Sequence, residues 1–131
     1  MNQTQSLPEK VKKGLHYFNQ GAFYEAHEYF EDAWRQTPGS SREFYRSLLH
    51  ISGGFFRLQQ GRAVAAKKFF MHALNWLKQF PDEHLGFDLS AIKKIIENLL
   101  KKLTQDKHTE RVITEMHPLL QSIFIKHLPD S

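Results

Sequence analysis

The chain has 131 residues and a net charge of +4, and 40% of its residues are hydrophobic and 13% aromatic. This composition excludes a disordered chain and predicts one globular domain, residues 1–131, that buries about two-thirds of the surface of its unfolded form. Because the chain has no Cys, thiolate catalysis, disulfides and cysteine-type zinc sites are excluded.

Polar residues begin the chain, and no stretch approaches the roughly 20 apolar residues of a membrane span. A cytoplasmic protein without membrane contact is therefore expected. Much of the positive charge lies in Lys-Lys pairs, which helical geometry spreads over solvent-facing surfaces. Because no phosphate loop or recognition motif accompanies them, nucleic acid is not an expected partner.

Two amphipathic helices are predicted in the first 40 residues. Ser6 is the expected N-cap of the first helix, Pro8 suits its first turn, and Gly21 ends it. The second helix is predicted over residues 22–36 and is broken by the Pro and Gly of residues 37–40.

The third predicted helix, from Ser41 to Gln60, has apolar residues over nearly half its circumference, which is typical of a central helix. Gly53 and Gly54 in its middle cost about 1 kcal/mol each relative to Ala, which indicates that another helix or a ligand comes close there. A fourth helix is predicted over residues 62–78.

The sequence pattern of the C-terminal third indicates two more helices and no strand. The fifth helix has Asp88 or Ser90 as its N-cap, and the last covers residues 110–127. Pro118 falls inside this last segment, so we expect a kink or two shorter pieces there.

A weak repeat relates the second helix to the fourth by a shift of 40 residues. The aligned pairs are Gln20–Gly21 with Gln60–Gly61, Ala26 with Ala66, Phe30 with Phe70, and Ala33 with Ala73. The repeat implies two helix-turn-helix units and resembles the tetratricopeptide arrangement. Two units are too few for a solenoid, so we expect an all-α, compact bundle of five to six helices in which residues 88–128 cap a core motif region over residues 8–80.

Residues 23–35 contain the candidate site. His27 and Glu31 lie one turn apart, and His27 sits on the apolar side of the helix between Phe23 and Trp34. An imidazole and a carboxylate in this arrangement can share one divalent cation, so His27 and Glu31 are candidate metal ligands. They are also candidate catalytic groups, with Glu31 as general base and His27 as proton carrier.

The pattern H-x-x-x-E-x-x-W resembles the domain-of-unknown-function 309 family of small helical proteins. The supporting segments are Phe18-Asn19-Gln20-Gly21, Glu25-Ala26-His27-Glu28 and Trp34-Arg35. The resemblance extends through Gly61 and Ala66 and covers about residues 8–80. It implies a helical bundle and a metal-binding or hydrolase-like role.

Other helices must complete any such site, because a catalytic zinc site usually has three protein ligands. The best distant donor is His50, and Arg46 or Arg57 would hold an anionic group of a ligand. Trp34 is also a candidate ligand-site residue, which would shield the site from water. If the carboxylate is buried, it must bond to His27, the Trp34 indole, Arg46, Arg57 or a backbone amide.

Three interpretations follow from these residues: a structural polar network, a pocket for a small polar or anionic ligand, and a divalent-metal site. Catalysis belongs only to the last two. The alternative function is a tetratricopeptide-like module that binds a protein partner through an exposed apolar groove. The sequence also leaves a homo-oligomer open.

Overall fold

Six α-helices and one short hairpin make up the structure, a computed structural model that describes residues 7–128. The helices are α1 (Glu9–Asn19), α2 (Phe23–Gln36), α3 (Arg42–Gln59), α4 (Ala63–Leu77), α5 (Leu89–Gln105) and α6 (Thr109–Phe124), followed by a 3-10 turn at Ile125–His127. The predicted all-α bundle is confirmed. The N-cap predicted at Ser6 lies outside the described residues.

The α1–α2 and α3–α4 hairpins turn in the same way, 40 residues apart. Gly21 and Gly61 adopt φ angles of 80° and 74°, the left-handed conformation that ends a helix in a Schellman motif. The matching amide-to-carbonyl bonds are Ala22 to Tyr17 (2.9 Å) and Gly21 to Phe18 (3.0 Å) in the first hairpin, and Arg62 to Arg57 (2.9 Å) and Gly61 to Leu58 (3.0 Å) in the second.

Glycines also let the two helices of each hairpin approach closely. A Cβ atom on Gly54 would lie 2.6 Å from the ring of Phe70 on α4, and one on Gly14 would meet Phe30 on α2. The neighbouring Gly53 is covered by Phe69, whose ring would lie 2.7 Å from an added Cβ. The close approach predicted for Gly53 and Gly54 is confirmed, and α4 provides it.

The first four helices pack side by side in chain order, and α5 and α6 close the bundle. α6 contacts α1, α3 and α5. The ring of Phe18 in α1 lies 5.1 Å from Phe23, 5.5 Å from Phe55 and 5.2 Å from Phe124, so one aromatic cluster joins α1, α2, α3 and α6.

Two-residue strands precede α5, although no strand was expected. β1 (Glu83–His84) pairs antiparallel with β2 (Phe87–Asp88) across a turn in which Leu85 and Gly86 both have positive φ. Strands of two residues are too short to show the alternation of apolar and polar residues that predicts a strand. Asp88 caps α5 and accepts a hydrogen bond from the amide of Ala91 at 3.0 Å, so the first of the two predicted caps is confirmed.

Pro118 lies inside the continuous helix α6, so of the two expected outcomes, a kink or two shorter pieces, the division into two pieces does not occur. Pro118 is exposed, whereas Met116 and Leu120 on either side of it are buried. Core packing on both sides of Pro118 therefore holds the helix together despite the missing amide donor. Between residues 7 and 128, no helix is both long and apolar enough to cross a membrane.

Candidate functional site

His27 is half-buried on α2 and packs against α3. A Cβ atom on Gly53 would lie 3.7 Å from His27 Cδ2, at ordinary van der Waals distance, so the imidazole lies beside the α3 backbone at Gly53. Burial lowers the pKa of His27, opposed by Glu31 and assisted by Arg57. Its Nδ1 atom is buried and has no hydrogen-bond partner within the described part of the chain. The imidazole is therefore neutral at pH 7 and turned inward, as predicted.

Glu31 does not join His27 in a closed pair. Its Oε2 atom accepts a hydrogen bond from Arg35 Nη2 at 2.7 Å, and its side chain is 32% exposed. The bonds expected for a buried carboxylate, to His27, Trp34, Arg46, Arg57 or a backbone amide, are not formed, because Glu31 is partly exposed and pairs with Arg35 instead. Arg35 lies one turn along the same helix, so its long side chain reaches the carboxylate at the surface without help from another helix.

The described residues contain no group of three or more His, Cys, Asp or Glu side chains that could hold a metal ion. Glu31 is already paired with Arg35, and His50 uses Nδ1 for a backbone contact. The geometry thus gives no support to the predicted divalent-metal site at His27 and Glu31.

Arg46 lies between two tryptophans at one end of α3. Its guanidinium carbon is 4.8 Å from the ring of Trp34 on α2 and 4.5 Å from that of Trp76 on α4. Glu43 is an acidic neighbour, with Oε1 at 3.4 Å from Arg46 Nη1. Arg42 also lies over Trp34, at 4.7 Å, and donates from Nε to its carbonyl at 2.9 Å. Arg46 thus links three helices and has its charge partly compensated.

Trp76 on α4 contacts Arg46, but it was not among the predicted site residues. The sequence signal was weak: Trp76 is one of two tryptophans in the chain and lies next to the predicted buried residue Leu77. The indole Nε1 of Trp34 is buried and has no partner among residues 7–128.

His50 lies one turn further along α3. Its Nδ1 is 2.9 Å from the carbonyl oxygen of Arg46; because a carbonyl only accepts, Nδ1 is the donor and Nε2 carries the lone pair of the neutral ring. The His50 ring lies 5.8 Å from Phe69 and 5.5 Å from His72. Burial lowers the pKa of His50; the Arg46 carbonyl opposes this, and His72, Arg46 and His27 add to it. His72 is a neighbour that the sequence did not indicate.

Arg57 lies on α3 among aromatic rings. Its guanidinium carbon is 4.4 Å from the ring centre of Phe69 and 5.5 Å from that of Phe56. Within residues 7–128, no acidic side chain forms an ion pair with it. Its charge is close enough to His27 to lower the pKa of that imidazole.

Contacts close a ring around Arg57. Tyr24 lies 5.2 Å from Phe56 and 6.1 Å from His27, measured between ring centres. His27 and Phe69 both lie next to Gly53, and Phe69 in turn contacts Arg57, so these residues form a closed set of neighbours. We call this set the Arg57 cluster, and it comprises Tyr24, His27, Gly53, Phe56, Arg57 and Phe69.

The six predicted site residues do not form one site but lie at three places on α2 and α3. His27 and Arg57 lie in the Arg57 cluster, and His50 contacts its Phe69. Trp34 and Arg46 lie near the other end of α3, since 11 residues of helix span about 16 Å. Glu31 lies outside both groups, in a groove between α1 and α2 that is also lined by Lys10 and Tyr17.

The fold and this face define a small helical-bundle protein with two related helical hairpins and a surface of guanidinium, imidazole and aromatic groups across α2, α3 and α4. Residues 11–69 match the model of the family described as Domain of unknown function (DUF309). The resemblance predicted from the motif is therefore confirmed. The matched range contains every residue of the Arg57 cluster but ends before His72 and Trp76.

One relative is a protein from Aquifex aeolicus (strain VF5) that is described as uncharacterized. It is 27% identical over 93 residues, which are 70% of this chain and 28% of the relative. The chain thus spans little more than a quarter of the length of this curated relative. The similarity supports a shared helical segment and says nothing about a substrate.

Proposed function

We propose that the Arg57 cluster binds a small anionic ligand and that Arg57 is its charged partner. The observation that carries this proposal is Arg57, a half-buried residue whose guanidinium has aromatic neighbours but no ion pair with an acidic side chain in residues 7–128. A partly desolvated cation without a counter-charge favours an anion more strongly than a paired one does.

The geometry around Arg57 suits a carboxylate or a phosphate. A guanidinium presents a planar set of donors that can bond two oxygens of such a group at once. Phe56 and Phe69 restrict the side chain, which reduces the ordering cost of binding. The neutral imidazole of His27 offers a polar neighbour and adds no like charge at pH 7.

Arg46 is a weaker candidate for the same role. It lies near Glu43 and between Trp34 and Trp76, so its charge and both faces of its guanidinium already have partners. We assign Arg46 mainly to holding α2, α3 and α4 together.

The alternative of a tetratricopeptide-like docking module has less support. Five large hydrophobic side chains are exposed within residues 7–128, and they lie on four different elements. They are Tyr24 on α2, Val64 and Met71 on α4, Leu119 on α6, and Ile125. An extended apolar surface was the feature that this alternative required.

Titration of the whole chain with inorganic phosphate and with acetate, followed by backbone amide NMR shifts, tests the proposal. We expect saturable shifts in α2 and α3 that weaken as salt is added. Arg57→Gln should weaken binding by about tenfold or more, because it removes a charged hydrogen-bond donor. Arg62→Gln is the matched control, since Arg62 is exposed and lies outside the cluster.

Circular dichroism establishes that each variant is folded before binding is compared. If the wild type binds neither anion at low salt, the proposal is wrong. Equal affinities for Arg57→Gln and Arg62→Gln would also refute it, because the two variants remove the same charge from different places.

A further inference from the structure

We infer that the anion bound by the Arg57 cluster carries an aromatic ring stacked on Tyr24, as in a nucleoside 5′-monophosphate. This inference rests on the proposed function and names the ligand class of the same site. It is carried by the position of Tyr24, which contacts the Phe56 ring next to Arg57 and is itself 46% exposed.

Tyr24 differs from the other large aromatic residues in its exposure. Its relative exposure is 46%, and it is the one exposed residue among the Phe, Trp and Tyr side chains of residues 7–128. Leaving a large ring in water forgoes the burial that the rest of the aromatic set achieves. An aromatic side chain offers a face on which a flat ring such as a nucleobase can stack.

The neighbours of Tyr24 hold the ring without covering it. Phe56 lies 5.2 Å away at an angle of 53°, and His27 lies 6.1 Å away at 29°. Contact with the rings of His27 on α2 and Phe56 on α3 restricts the Tyr24 side chain. A ligand that stacks on Tyr24 therefore costs little additional side-chain entropy.

Tyr24 and Arg57 are close enough for one small molecule to reach both. The Tyr24 ring centre is 5.2 Å from that of Phe56, which is 5.5 Å from the guanidinium carbon of Arg57, so the two end groups lie no more than about 11 Å apart. A nucleobase and its 5′-phosphate are joined by a single sugar and can span such a separation.

Glu28 favours a ligand with hydroxyl groups over a bare polyanion. Glu28 lies one turn after Tyr24 on α2, at the edge of the Arg57 cluster, and raises the pKa of Tyr24. A carboxylate accepts hydrogen bonds from sugar hydroxyls and repels additional negative charge. One phosphate with a sugar fits this combination better than a di- or triphosphate.

The test compares adenosine 5′-monophosphate with ribose 5-phosphate and inorganic phosphate by calorimetric titration of the full chain. We expect the nucleotide to bind about tenfold more tightly than ribose 5-phosphate, because stacking on an aromatic side chain adds to the phosphate contact. Tyr24→Ala should abolish this difference and leave phosphate binding in place. Tyr24→Phe should retain it, and Met71→Ala, which removes an exposed apolar side chain on α4, should have no effect.

The outcomes separate the two proposals. If ribose 5-phosphate binds as tightly as the nucleotide, or if Tyr24→Ala retains the difference, the inference about the ring is wrong and anion binding stands. If neither inorganic phosphate nor the two sugar phosphates bind, anion binding at Arg57 is refuted together with this inference.

Discussion

Replacing Arg46 with Met tests whether the Trp34–Arg46–Trp76 contact stabilises the bundle. Met keeps an unbranched apolar side chain at this position but removes the charge that attracts the two rings. The Arg46 side chain is 32% exposed, so each cation–π contact falls between the exposed and desolvated cases, at about 1 kcal/mol. Glu43 adds little, because exposed ion pairs contribute about 0–1 kcal/mol.

We therefore expect Arg46→Met to lower the free energy of unfolding by about 2 kcal/mol. Urea denaturation followed by far-UV circular dichroism measures this change without depending on tryptophan emission. Arg35→Met is the control, since its ion pair with Glu31 lies at the surface and should contribute less than about 1 kcal/mol.

A double-mutant cycle with Trp76→Leu isolates one of the two contacts. The coupling free energy between Arg46 and Trp76 should be about 1 kcal/mol. Strictly additive effects of the two substitutions, or an Arg46→Met variant as stable as the wild type, would show that the stacked geometry contributes nothing to stability.

Three further predictions concern stability. Histidines in the unfolded chain have a pKa of about 6.5, and burial lowers the pKa of five of them in the folded protein. The free energy of unfolding should therefore fall as the pH drops below about 6.5, because the unfolded state then binds more protons. Urea midpoints that stay constant over this pH range would contradict the prediction. The histidines with pKa values lowered mainly by burial are His27, His50, His84, His117 and His127. Asp88→Ala should cost about 1 kcal/mol by removing the cap of α5, and an unchanged urea midpoint would argue against that cap. Gly54→Ala should be destabilising by up to about 2 kcal/mol although Ala favours helix, because the added Cβ overlaps the buried Phe70 ring, and a raised thermal midpoint would refute this reasoning.

Much of the helical layout could be predicted because its signals are local. The Gly21 and Gly61 turns, the Pro and Gly after α2 and the periodic apolar residues of α3 each act within a few positions. The hairpin before α5 was missed because two-residue strands have no detectable period. The continuity of α6 through Pro118 depends on packing against other helices, which no local pattern contains.

Of the candidate residues, the direction of His27 could be predicted, but the contacts of Glu31 and Arg46 could not. Helical periodicity gave the inward direction of His27, yet it could not show that Glu31 would pair with Arg35 on the same helix. The contact of Arg46 with Trp76 depends on side-chain reach between two helices whose spacing is set by Gly53 and Gly54. Such distances follow from the packed bundle and not from the order of residues.

Arg46 and Arg57 occupy similar positions on the same face of α3, and only their surroundings distinguish them. Arg46 has Glu43 as an acidic neighbour and an indole on each side. Arg57 is packed against Phe69 and Phe56 and has no acidic partner in the described chain. Arg46 therefore shares an acidic partner with Arg42 and has two indoles against it, whereas Arg57 has a charge that an external anion would complete. This difference is the reason for proposing the anion site at Arg57, although both arginines were equal candidates in the sequence.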